Sequence, residues 1–130
     1  MITHPDSPTL SQFDPGSVLT IPREFVAWTG TVEKALFITQ LVYWADRCDG
    51  HTFARSSQEW SEEIGLSDYT IRQAIRWCQE EGFLSTETKR FANGRMLHYT
   101  VDRDTFRRKL AAFRQKHPTK TAPAYRIIAA

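Results

Sequence analysis

A chain of 130 residues, 41% hydrophobic and 25% charged, has the size and composition of a soluble globular domain with one core. No apolar run approaches the roughly 20 residues of a membrane span, and the opening Met1-Ile2-Thr3-His4-Pro5-Asp6 lacks the basic and apolar regions of a signal peptide. The net charge of +2 conceals an asymmetry, because residues 1–88 carry 6 Lys+Arg against 13 Asp+Glu, and residues 89–130 carry 11 against 2, local balances of −7 and +9. Such a distribution suits a surface that meets a polyanion; a solvated basic tail is the alternative.

Residues 1–17, with three prolines and several Ser, Thr and Asp, read as a flexible N-terminal segment. Pro22 can start a short helical turn through Arg23-Glu24-Phe25-Val26-Ala27-Trp28. A longer helix is predicted from about Thr31 to Cys48. Ala35, Leu36, Ile38, Thr39, Val42, Tyr43 and Ala45 form its wide core stripe, and Phe37, Leu41 and Trp44 add apolar bulk. Asp49-Gly50 is a turn signal, and His51–Arg55 a short strand with Phe53 inward.

Ser56 or Ser57 caps the next helix, whose core positions are Trp60 and Ile64; Gly65 ends it and Leu66 tucks in behind. Ser67 caps a third helix to about Glu81, with Ile71, Ala74, Ile75 and Cys78 on one face and Gly82 as its stop. The period then changes to alternation. Phe83–Lys89 and Met96–Val101 read as strands joined across Phe91-Ala92-Asn93-Gly94, where Asn-Gly is a strong hairpin signal. Asp102 or Asp104 caps a last helix with Phe106, Leu110 and Phe113 at i, i+4 and i+7, bounded by Pro118. The expected class is mainly α with a small β-hairpin (α+β), folded over 18–116 with a loose tail at 117–130.

The stretch SSQEWSEEIGLSDYTIRQAIRWCQEEGFLSTETKRFANGRMLHYTV, Ser56 to Val101, resembles the winged helix-turn-helix core of many bacterial DNA-binding proteins. The points of likeness are SxxEW before the GLS turn, then TIRQAI, then the EEGFL exit into a hairpin wing. With ALFITQLVYWADR ahead of it, the chain looks like the helix-turn-helix modules of phage and plasmid replication proteins and related mobile-element regulators. The likeness covers about residues 31–106.

What the resemblance implies is a recognition helix beginning at Ser67, its N-terminal turns against base edges in the major groove. The outward face would offer Ser67, Asp68, Tyr69, Thr70, Arg72, Gln73 and Arg76. Arg72, Gln73 and Arg76 suit guanine and adenine edges, with Tyr69 or Thr70 on a phosphate or thymine methyl. An Arg76–Glu80 pair on a merely solvated helix is the plainer alternative. Asp68 either stabilises the helix N-terminus or accepts from cytosine. The wing would set Lys89, Arg90, Asn93 and Arg95 on the backbone or in the minor groove, a solvated turn being the alternative. The last helix would leave Arg103, Arg107, Arg108, Arg114 and Lys116 outward, for phosphates, a replication or regulatory partner, or a homodimer contact.

Signals for chemistry are missing. Cys48 and Cys78 lie 30 residues apart without a CxxC pair and read as thiols of a reducing cytoplasm. His4, His51, His98 and His117 have no zinc spacing with them, and no P-loop, GxSxG, HExxH or Rossmann glycine pattern occurs. Trp77 lies off the main buried stripe, placed to cover the wing or a second subunit, and no heptad pattern supplies a dimer seam. The expectation is a cytoplasmic, cofactor-free, non-catalytic protein that binds double-stranded DNA, serving plasmid or phage replication or maintenance. A transcriptional regulator on the same scaffold and a winged-helix protein-interaction module are the alternatives.

Overall fold

The computed structural model describes residues 19–91 and 94–118; the expected N-terminal segment 1–17 and nearly all of the expected tail lie outside them. Helix α1, Arg23–Thr29, starts after extended Pro22 and closes on Gly30, whose φ of 87° is the left-handed conformation that glycine adopts without strain. Helix α2, Val32–Asp46, is capped by Thr31, whose hydroxyl accepts from the Lys34 amide at 3.2 Å. It stops two residues before Cys48, because the chain turns into a single 3-10 turn at Asp49–His51 with Gly50 at φ 68°.

The orientation of α2 departs from the expected stripe. Phe37, Ile38 and Leu41 are wholly buried and Gln40 is nearly so, whereas Tyr43 is 42% exposed and Leu36, Thr39 and Val42 are only half-buried. The helix is apolar almost all round, so its periodicity leaves the buried side undetermined. Packing decides it, with the Phe37 ring centred 4.9 Å from that of Trp60.

Strand β1, Thr52–Arg55, leads to helix α3, Ser57–Ile64. A capping box starts α3: the Ser56 hydroxyl accepts from the Glu59 amide and the Glu59 carboxylate accepts from the Ser56 amide, both at 3.1 Å. Helix α4, Asp68–Glu80, strand β2, Leu84–Phe91, strand β3, Gly94–Val101, and helix α5, Arg103–Lys116, follow. Asp102 caps α5 by accepting from the Thr105 amide at 3.1 Å and its hydroxyl at 2.8 Å. These hydrogen bonds hold its carboxyl below the usual carboxylate range. The described residues thus form a mainly helical α+β fold of five α-helices and a three-stranded antiparallel sheet in the order β1-β3-β2. Thr52–Arg55 pairs with Thr100–Leu97 of β3, and Leu84–Phe91 pairs with Val101–Gly94 on its other side.

The core is aromatic. Phe53 stacks on Tyr99 with centroids 5.3 Å apart, and the buried Trp60 indole N–H donates to the Tyr99 hydroxyl at 3.1 Å. Burial pushes the Tyr99 phenol up from its ordinary value and the Cys78 thiol well above its own. A second cluster joins Trp28, Phe83 and Phe106 to Trp77, whose ring centre lies 5.1 Å from that of Trp28. Trp77, half-buried, thus packs on Trp28 of α1 and on Phe83, the first residue of the expected wing strand. Beside the first cluster, Arg55 pairs with Glu63 at 2.5 Å, and Glu63 also accepts from the Trp44 indole N–H at 3.0 Å.

Two arginines expected outward on α5 are engaged. Arg103 pairs with Asp46 at 3.1 Å, and Arg114 chelates Glu24 of α1, its Nε donating at 2.7 Å. Phe113 is only half-buried, its ring 4.9 Å from that of His117. The Arg114 guanidinium holds the Glu24 carboxyl below its ordinary value. This ion pair therefore stabilises the fold above the unfolded carboxylate range and is lost as pH falls through the lowered folded value. Arg114→Ala is expected to return the Glu24 titration, followed by NMR, toward about 4.3. Tyr99→Phe strands the Trp60 N–H in a dry core and is expected to cost about 1–3 kcal/mol in urea unfolding; a loss below about 0.5 kcal/mol would mean that the bond contributes little net stability.

Candidate functional site

The pairing of β1 and β2 with one strand fixes the α3–α4 segment at both ends. Between the two helices the chain has only Gly65, Leu66 and Ser67; Gly65 takes φ 70° and its amide donates to the Ser61 carbonyl at 2.8 Å. Ser67 begins α4 by accepting from the Thr70 amide at 3.2 Å, and the two hydroxyls lie 2.9 Å apart. Ser67 and Thr70, expected as contact residues, are thus tied to each other at the helix start.

One face of α4 holds it to the body, with Ala74 and Cys78 wholly buried, Ile71 almost so and Ile75 half-buried. The opposite face carries Tyr69, 70% exposed, with Arg72 and Arg76, and half-buried Gln73 beside them. Spacing of i, i+3, i+4 and i+7 brings these four side chains onto one stripe. Arg72 pairs with Asp68 at 2.5 Å, an exposed i,i+4 contact. Asp68 thereby has a partner that the sequence alternatives did not include. The Arg76–Glu80 pair is not formed, and Arg76 has no ion-pair partner among the described residues. At the other end of α4, the Gln79 amide donates to the Thr86 hydroxyl at 2.9 Å and ties the helix to β2.

The hairpin is longer than its sequence suggested. Strands expected to end at Lys89 and resume at Met96 continue to Phe91 and Gly94, so the basic residues stand on paired strands. Lys89 faces Met96 across the ladder, and Arg90 faces Arg95. Lys89, Arg90 and Arg95 are exposed, with no ion-pair partner among the described residues. Like charges directly opposite in a sheet are unfavourable, so Arg90 and Arg95 stand where folding gains nothing from them. Asn93, the fourth expected wing residue, lies outside the described residues.

An open depression of about 560 Å³ is lined by Asp46, His51, Asp102, Arg103 and Arg107 among others. Asp46 is committed to Arg103 and Asp102 to its helix cap. Among the described residues no three His, Cys, Asp or Glu side chains gather as a metal-binding group, and no helix is long and apolar enough to cross a membrane. Sequence reasoning missed the Arg55–Glu63–Trp44 and Asp46–Arg103 contacts because each joins separate elements, leaving no local spacing to read.

No protein-family model matches the chain, and no curated protein matches it. Replacing Arg95 by Thr removes one of two facing charges and adds a strand-favouring residue. Arg95→Thr is expected to raise stability by about 0.2–1 kcal/mol in urea unfolding. A loss of that size would show that Arg95 serves the fold.

Proposed function

We propose that the chain is a non-catalytic double-stranded DNA-binding protein on a winged helix-turn-helix scaffold. In this reading α4 enters the major groove and the β2–β3 hairpin is the wing that follows the backbone. The order of helix, strand, two helices and hairpin, with β1 added beside β3, supports the scaffold. The resemblance from Ser56 to Val101 supports the same scaffold, and ALFITQLVYWADR ahead of it supports a role in plasmid or phage replication or maintenance.

The observation that carries the reading is the opposed Arg90–Arg95 pair, cationic side chains brought together on an exposed arm without an acidic partner among the described residues. A phosphate strand supplies the missing counter-charge, and releasing its condensed ions favours binding. On α4, Arg76 and the Arg72 donors not held by Asp68 are of the type that grips the O6/N7 edge of guanine, and Gln73 of the type that reads adenine. Tyr69, the exposed aromatic of the stripe, suits a phosphate or a thymine methyl.

Fluorescence-anisotropy titration with mixed-sequence duplex DNA at two salt concentrations tests this. Affinity is expected to fall steeply with salt. Arg72→Ala or Arg76→Ala is expected to cost about 1–3 kcal/mol and relax sequence preference. Arg90→Ala is expected to weaken all duplexes alike, with a salt slope shallower by about 1. Absence of binding at low salt, or parental binding by all three variants, would overturn the assignment.

A further inference from the structure

Helix α2 carries apolar side chains on nearly every side, the composition of a helix covered all round. One side is only partly covered, with Leu36 and Thr39 half-buried and Leu36 packing in part against the core. Val32, 53% exposed, Leu36, Thr39 and Tyr43, 42% exposed, follow at intervals of four, three and four, which lines them up in one stripe along the helix. Of the expected core stripe, Ala35, Ile38 and Ala45 are buried together with Phe37 and Leu41, whereas Leu36, Thr39 and Tyr43 are not.

Charge marks the two ends of this stripe. Glu33 stands beside it in the first turn, and Arg47 on the same flank just past the last. Arg47 is held against the stripe, its guanidinium carbon 3.4 Å from the Tyr43 ring centroid and Nη1 donating to the Tyr43 carbonyl at 3.0 Å. Neither Glu33 nor Arg47 has an ion-pair partner among the described residues.

We propose that this face of α2 is the interface between two copies of the chain, packed antiparallel about a two-fold axis close to Thr39. A two-fold interface must be complementary to itself, and this stripe is so in one direction only. Antiparallel packing sets Leu36 against Tyr43 of the second copy and Glu33 beside its Arg47, twice over. Glu33 and Arg47 lie about 9 and 12 Å from Thr39 along the axis, so the charges meet within side-chain reach. Parallel packing would oppose Glu33 to Glu33 and Arg47 to Arg47. Four side chains cover less than the roughly 800 Å² per partner of a standard interface, so the pairing is weak.

Sedimentation equilibrium of the full chain without DNA, up to about 200 µM, reads it directly. The mass is expected to rise from 15.0 kDa toward twice that value. Glu33→Arg and Arg47→Glu are each expected to weaken association about 10-fold. The double exchange, with both pairs reversed, is expected to restore it, and circular dichroism checks that each variant folds. A mass that stays at one chain throughout, or single variants that associate as the parent does, would overturn the interface. Association restricted to a different protein would do so too. The proposal stands apart from the DNA reading: a monomer that binds duplex DNA overturns the interface alone, and a dimer that binds none overturns the DNA reading alone.

Discussion

Strand β3 pairs on one edge with β1, which precedes α3, and on the other with β2, which follows α4. The two helices and their three-residue turn are thus an excursion whose entry and exit are fastened to the same strand. Without β1 the sheet would be a lone hairpin, marginal in water, and α3 would enter the body from an unanchored chain. With it, Phe53 and Tyr99 stack across the ladder, and Tyr99 receives the Trp60 indole from α3. One backbone pairing therefore aligns the sheet, the core and the first helix of the excursion.

The second aromatic cluster extends the same logic to the ends of the chain. Trp28 of α1, Trp77 of α4, Phe83 before β2 and Phe106 of α5 meet at centroid distances between 5.1 and 6.0 Å. Such edge-to-face contacts are orientation-dependent and worth about 0.5–1.5 kcal/mol each beyond the area buried. They hold the C-terminal part of α4 from behind, and the Arg114–Glu24 pair closes α5 over α1. The side of α4 that carries arginines takes no part in this. Cohesion and exposed charge lie on opposite sides of one helix.

Much of this was legible in the residues. Capping signals at Thr31, Ser67 and Asp102, glycine stops at Gly65 and Gly82, and the change of period after Gly82 located the elements within a few residues. The stripe of α4 could be drawn because its other face is polar, so only one orientation buries apolar surface. For α2 the same method failed: a helix apolar on all sides has no preferred direction until its neighbours are known, and Tyr43 was placed inside. The Trp28–Trp77 contact was hidden for a related reason, since its two residues lie 49 positions apart in the sequence. Of the candidate site, the residue types were readable. The Asp68–Arg72 contact and the facing of Arg90 with Arg95 depend on rotamer and register, which composition does not encode.

The reach of β1 divides the hairpin into two unlike parts. Its pairing with β3 ends at Leu97, so the sheet has three strands at its root and only two from Met96 outward, where Lys89, Arg90 and Arg95 stand. A two-stranded ribbon twists more freely and opens locally at lower free energy than a sheet closed on both edges. The charged end of the arm accordingly keeps more conformational entropy than its base. Any surface that immobilises it must offset that entropy, and in return the arm can bend to surfaces of differing curvature while its root holds still.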